Sequence, residues 1–149
     1  MGTAAELGAI TVSENEEDHE NLKNFGENLG IAFQIKDDLL DYYGHQKILG
    51  KPVGNDFKDK KITLPLIHAF NQASRKEISN VKRRLKKGVS QKDVEYILDF
   101  VAQYNGINYA EQKLQEYSEK AKQCIAVYDD TEVKKAMEAF VDFTINRAK

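Results

Sequence analysis

Apolar residues recur at steps of three and four along almost the whole chain, and only two prolines, Pro52 and Pro65, interrupt them. A spacing near 3.6 turns one side of a helix toward a core, whereas a half-buried strand needs strict alternation, and no convincing alternating stretch is present. The chain is therefore expected to be all-α. Its 149 residues can bury one real core but are short for two, so a single all-α unit over residues 1–149 is expected.

Residues 2–11 read as a short helical piece with no capping residue before it, in the manner of the remainder of a longer helix. Ser13 followed by Glu16 has the form of a capping box, and Leu22, Phe25, Leu29 and Phe33 follow at helical spacing, which predicts one long helix from about 14 to 43. Gly26 and Gly30 inside it each cost roughly 1 kcal/mol relative to Ala, so they are expected where a neighbouring helix comes close. Residues 44–60, with Gly44, Gly50, Pro52 and Gly54, read as a long ordered loop. Thr63 starts a helix with Pro65 in its first turn, running to about Gln72.

Ser74 with Glu77 and Ser90 with Asp93 resemble two further helix starts, and Gly88 and Asn105-Gly106 punctuate their ends. An amphipathic pattern follows over about 107–128, and Asp129 with Glu132 opens a final helix carrying Val133, Met137, Phe140, Val141 and Thr144. About six helices plus an N-terminal stub result.

The 22 Lys and Arg against 24 Asp and Glu leave a net charge of −2, so no global field draws the protein to nucleic acid or to acidic membranes. Between residues 75 and 92 Arg75, Lys76, Lys82, Arg83, Arg84, Lys86, Lys87 and Lys92 crowd together. No aromatic residues stand between them to stack bases, so a solvated helix face is the reading taken and no nucleic-acid partner is expected. Cys124 is the single cysteine and lies in a helical pattern, which suits a small buried hydrophobe and a reducing cytoplasm. Met1–Val12 lacks the basic start and apolar core of a signal peptide, and no run of about 18 apolar residues is present, so membrane insertion is not expected.

The candidate chemistry lies at the end of the long helix, in Gly30-Ile31-Ala32-Phe33-Gln34-Ile35-Lys36-Asp37-Asp38-Leu39-Leu40-Asp41. With Asp37 at 0°, a turn of roughly 100° per residue puts Asp41 near 40°, Gln34 near 60° and Asp38 near 100°. Such an arc can be an acidic face in water, or it can face a cation. Carboxylates at i, i+1 and i+4 repel, and a water-facing helix would ordinarily dilute them with lysines. Downstream come Gly50-Lys51-Pro52-Val53-Gly54-Asn55-Asp56 and Lys60-Lys61-Ile62-Thr63-Leu64-Pro65. Lysines suit phosphate oxygens and glycines let a backbone approach a bulky anion, so carboxylates and lysines together imply a polyphosphate bridged by Mg²⁺.

At these residues the chain resembles the trans-type isoprenyl (polyprenyl) diphosphate synthases. Their second aspartate-rich motif, Phe-Gln, two residues, Asp-Asp, two residues, Asp, reads here Phe33-Gln34-Ile35-Lys36-Asp37-Asp38-Leu39-Leu40-Asp41. Matching Gly50-Lys51, Gly54, Asp56, Lys61 and Thr63-Leu64-Pro65 follow, and the ending around Arg147 resembles that family's C-terminus. The resemblance implies part of an isoprenoid-synthase helical bundle. It further implies that Asp37, Asp38 and Asp41 hold Mg²⁺ on the diphosphate of an allylic substrate, with Asp56 supporting them from behind. Lys51 would touch the same diphosphate, Gln34 would border the reacting carbon, Phe33 would line the pocket, and Lys61 would add positive potential or orient the loop. For Lys61 and Asp56 a purely structural role is equally open.

The resemblance also implies what is not on the chain: a first aspartate-rich motif, the basic residues for isopentenyl diphosphate, and a Lys-Thr pair. Asp129-Asp130 cannot supply the first of these, because Val133 and Lys134 stand where the third acid is needed. The expectation is the C-terminal half of a prenyltransferase, inactive alone, meeting isopentenyl diphosphate only with the missing half. It should form a homo-oligomer or associate with an N-terminal half through an exposed apolar face. A non-catalytic helical subunit or interaction module is the alternative.

Overall fold

The computed structural model describes residues 1–43 and 54–147. Among them the chain is all-helical, with α1 (Gly2–Ile10), α2 (Glu16–Tyr43), α3 (Asn55–Lys58), α4 (Leu64–Gln72), α5 (Arg75–Lys86), α6 (Gln91–Gln103), α7 (Gly106–Ile125) and α8 (Glu132–Asn146). The expected helices are present. The short α3 is the addition, forming where a loop was read. Residues 44–53, the first part of that stretch, lie outside the described residues.

Packing gathers the chain into two compact units, residues 1–36 with 112–148 and residues 37–111, and α2 and α7 each run from one into the other. In the first unit Phe25, Leu29, Ala121, Ile125 and Val141 form the core, with Cys124, Tyr128 and Met137 against it. Gly26 shows why a glycine was needed: an added Cβ would stand 2.8 Å from the Met1 carbonyl oxygen, where α1 begins. The Tyr128 hydroxyl donates to Asp18 at 3.0 Å and the Ser13 hydroxyl donates to the same carboxylate at 2.6 Å, fixing the entry to α2. Cys124 packs as a small hydrophobe, and burial pushes its thiol pKa up.

In the second unit Tyr42, Phe57, Leu66, Val81, Leu85, Val94, Ile97 and Val101 are buried together. Both Ser74/Glu77 and Ser90/Asp93 form complete capping boxes. The start of α7 lies tight against α4, since a Cβ on Gly106 would be 2.3 Å from the Pro65 carbonyl oxygen. Two expected caps are corrected. Asn15, not Ser13, accepts from the Glu17 amide at 3.0 Å to open α2, and Thr131, not Asp129, accepts from the Lys134 amide at 3.2 Å to open α8. In each case a second capping-competent residue sits closer to the helix and captures the free amide.

Candidate functional site

The last turns of α2 carry Asp37, Asp38 and Asp41, and the chain after the undescribed segment returns to them through α3. Asp41 accepts the Asn55 amide at 3.3 Å with one carboxylate oxygen and the Asp56 amide at 3.0 Å with the other. These are amides that a helix start leaves without partners, so Asp41 acts as a cap delivered from another helix. Asp56 in turn accepts from Lys61 Nζ at 3.0 Å, and the Lys61 amide donates to the Asp56 carbonyl at 2.8 Å. The pair is unequal in burial, with the Lys61 side chain 60% exposed and that of Asp56 15%. Lys61 thus screens one acid of the cluster while its other side meets solvent.

Asp38 sits half-buried within this group. Burial raises its pKa to about 6, with further upward pushes from Asp56, Asp37 and Asp41 and a partial offset from Lys61. Such a carboxylate is short of positive charge, which a divalent cation supplies. No three His, Cys, Asp or Glu side chains converge as a ready metal cage among the described residues. The carboxylates of Asp37, Asp38 and Asp41 are hard oxygen donors, of the kind that would hold a divalent cation together with phosphate oxygens.

Behind the acids, buried Tyr42 hydrogen-bonds Thr63 Oγ1 at 2.7 Å and meets the Phe57 ring edge-on at 5.3 Å between centroids. Thr63 is the N-cap residue of α4 but its side chain makes no cap hydrogen bond, being spent on Tyr42 instead. One residue further along α2, the Tyr43 hydroxyl donates to Glu111. Gly54 has φ +76°, and a Cβ there would lie 2.8 Å from Val94. The motif's Gly54 therefore serves a left-handed turn against a buried side chain, where the sequence suggested access for an anion.

Phe33 and Gln34 lie on α2 in the first unit. Gln34 is exposed and Phe33 partly buried. The Arg147 guanidinium lies 3.7 Å from the centre of the Phe33 ring, and its Nη2 donates to the Phe33 carbonyl at 3.0 Å. Lys51, expected on the diphosphate, lies outside the described residues. Asp38, Asp41, Asp56 and Lys61 are thus brought together with Asp37. The roles of Tyr42, Thr63 and Arg147 were not foreseen; Thr63 stood out in the sequence only as a helix start and as part of the matching Thr63-Leu64-Pro65.

Residues 1–101 match the family model described as polyprenyl synthetase. The chain belongs to the polyprenyl synthetase family. A geranylfarnesyl diphosphate synthase of Aeropyrum pernix is 32% identical over 98% of this chain and 46% of its own length. The crystal structure of a geranylgeranyl pyrophosphate synthetase from Pyrococcus horikoshii superposes with a TM-score of 0.87 at 33% identity, covering 99% of this chain and 45% of that one. A polyprenyl synthase from Caulobacter crescentus, solved with calcium and isoprenyl diphosphate, gives 0.83 at 30% identity over 98% of this chain and 45% of that one. The chain spans 44% to 46% of the length of curated relatives it matches, and it corresponds to their C-terminal portion. It shares their all-α fold.

Proposed function

We propose that this chain is the C-terminal half of a polyprenyl synthetase domain, and that it supplies one side of a site in which an allylic diphosphate condenses with isopentenyl diphosphate. The observation that carries the reading is Asp38, half-buried amid Asp37, Asp41 and Asp56 with Lys61 as the local counter-charge. Asp37 and Asp38 would hold Mg²⁺, and Asp41 would join them with the lone pairs left over from fixing α3. Mg²⁺ bound there would neutralise negative charge growing on the departing diphosphate.

The chain's own residues perform the remaining work. Asp41 and Lys61 hold Asp56 against the end of α2, so the acids keep their spacing when the diphosphate arrives. Lys51 would touch the diphosphate as a compact positive charge. Gln34 would border the reacting carbon, and Phe33, held by Arg147, would line an apolar wall that keeps water from a developing cation. Isopentenyl diphosphate has no evident place on these residues and would be held by the missing half. One cysteine and the lack of a membrane-crossing helix among the described residues suit a cytoplasmic enzyme.

A site with one side cannot position both substrates, so the chain alone should not turn over. The test is product formation from allylic and isopentenyl diphosphates in Mg²⁺, with the chain alone and after adding the N-terminal half of a related synthase. No product alone and product on complementation is the expected result, and turnover by the chain alone overturns the half-site reading. The second reading, a non-catalytic subunit, draws support from α8, where Val133, Phe140 and Phe143 are 69%, 46% and 62% exposed. These lie on one helical stripe suited to a second copy or an N-terminal half. Silence in both arms of the assay, with a stable complex, would favour it.

A further inference from the structure

Helix α5 carries six Lys or Arg in twelve residues and one acid, Glu77. Its inward side, with Val81 and Leu85, belongs to the core of the second unit. At roughly 100° per residue, Arg75, Lys76, Ser79, Lys82, Arg83, Lys86 and the C-cap Lys87 occupy one outward arc, and all are exposed. Glu77 points away from that arc, its carboxylate accepting from the Ser74 amide and from the Tyr104 hydroxyl. The outward face therefore contains no acid at all.

A helix side that only meets water is normally laced with opposite charges, as in α7, where Glu116 accepts from Lys113 at 2.6 Å and from Lys120 at 2.7 Å. Along α5 like charges follow one another at i+3 and i+4, an arrangement that is unfavourable until an anionic surface covers it. Beside this face is a cleft of about 210 Å³ lined by Lys60, Ile62, Lys82, Leu85 and Lys86, and Ile62 is 45% exposed. Its apolar floor is ringed by three ammonium groups. The nearby rings do not offer stacking platforms: Lys82 lies over Phe70 at 5.6 Å and Arg84 over Tyr96 at 4.1 Å.

From the acid-free basic face of α5 set beside the Lys60–Ile62 cleft, we propose that this side of the protein docks on an anionic lipid surface. Phosphate-bearing headgroups meet Arg75, Lys76, Lys82, Arg83 and Lys86, and the cleft takes apolar matter at the headgroup boundary. The association is peripheral, since no described helix is long and apolar enough to cross a membrane. It comes from this face and not from the molecule as a whole, whose net charge is −2. No α5 residue belongs to the carboxylate site, so the inference stands apart from the proposed reaction.

The test is co-sedimentation of the full chain with phosphatidylcholine vesicles, with and without phosphatidylserine at about a third of the lipid, at low and high salt. The chain should partition at least about tenfold more strongly onto the anionic vesicles and lose this in high salt. The triple variant Lys82→Gln/Arg83→Gln/Lys86→Gln should fall to the neutral-vesicle level. The variant Lys23→Gln/Lys120→Gln/Lys135→Gln, which removes as much charge elsewhere, should not. Thermal melts establish that both variants are folded. Equal binding to neutral vesicles, no binding, unchanged binding by the α5 variant, or tighter binding to a duplex DNA oligonucleotide than to anionic vesicles would each overturn the proposal.

Discussion

Single side chains behind the acids decide whether the cluster can exist. Gly54 combines φ +76° with a Cβ position 2.8 Å from Val94, so Gly54→Ala meets both a left-handed backbone penalty and a buried clash. The two effects are each of order 1–3 kcal/mol, and a loss of about 3 kcal/mol in urea unfolding is expected. The Tyr42–Thr63 hydrogen bond ties α2 to the start of α4 in a fully buried setting. Removing either hydroxyl strands the other, so Tyr42→Phe and Thr63→Val should each cost about 1–3 kcal/mol while the double variant costs less than their sum. Additive losses in the unfolding cycle would show that the pair does not couple. The need for Gly54 was half legible in the sequence: a glycine in a loop announces conformational freedom, but only folded neighbours reveal that Val94 fills the space.

Helix starts were legible where the signal was local and unopposed. Ser74/Glu77 and Ser90/Asp93 close on themselves within four residues, so sequence spacing is the whole story. Ser13/Glu16 and Asp129/Glu132 have the same spacing, yet Asn15 and Thr131 stand nearer the helices and cap them through the Glu17 and Lys134 amides. Asp41 was legible as an acid on the right face, but its capping of α3 depends on a chain return that no local pattern encodes. On α7 the lysine pair around Glu116 depresses its carboxyl pKa from 4.5 to about 2. That contribution to stability is complete above about pH 4.5 and is lost as pH falls toward 2. The melting temperature should therefore decline through this acid window, and Glu116→Gln should flatten the decline, as read by circular dichroism melts across the range. An unchanged slope in the variant would show that the bridges add nothing to the fold.

At the scale of the molecule, helical period alone foretold the all-α fold, because it repeats in every segment, and the motif from Phe33 to Pro65 pointed to the family to which the chain belongs. The division into residues 1–36 with 112–148 and residues 37–111 was not legible. It arises from contacts between segments far apart in sequence, such as Phe25 and Leu29 with Val141, and α2 shows no break in its pattern where it passes from one unit to the other. The partner proposed for this chain would meet the exposed Val133, Phe140 and Phe143 on α8. The central claim is nonetheless one this chain can answer alone: that Asp38 and its neighbours grip a diphosphate through Mg²⁺. Calorimetric titration of an allylic diphosphate into the full chain, with and without Mg²⁺, tests it most directly. Binding should require Mg²⁺ and weaken at least about tenfold in Asp38→Asn, the size expected for one charge-assisted contact. Equal binding in EDTA, or an unchanged affinity in that variant, would contradict it.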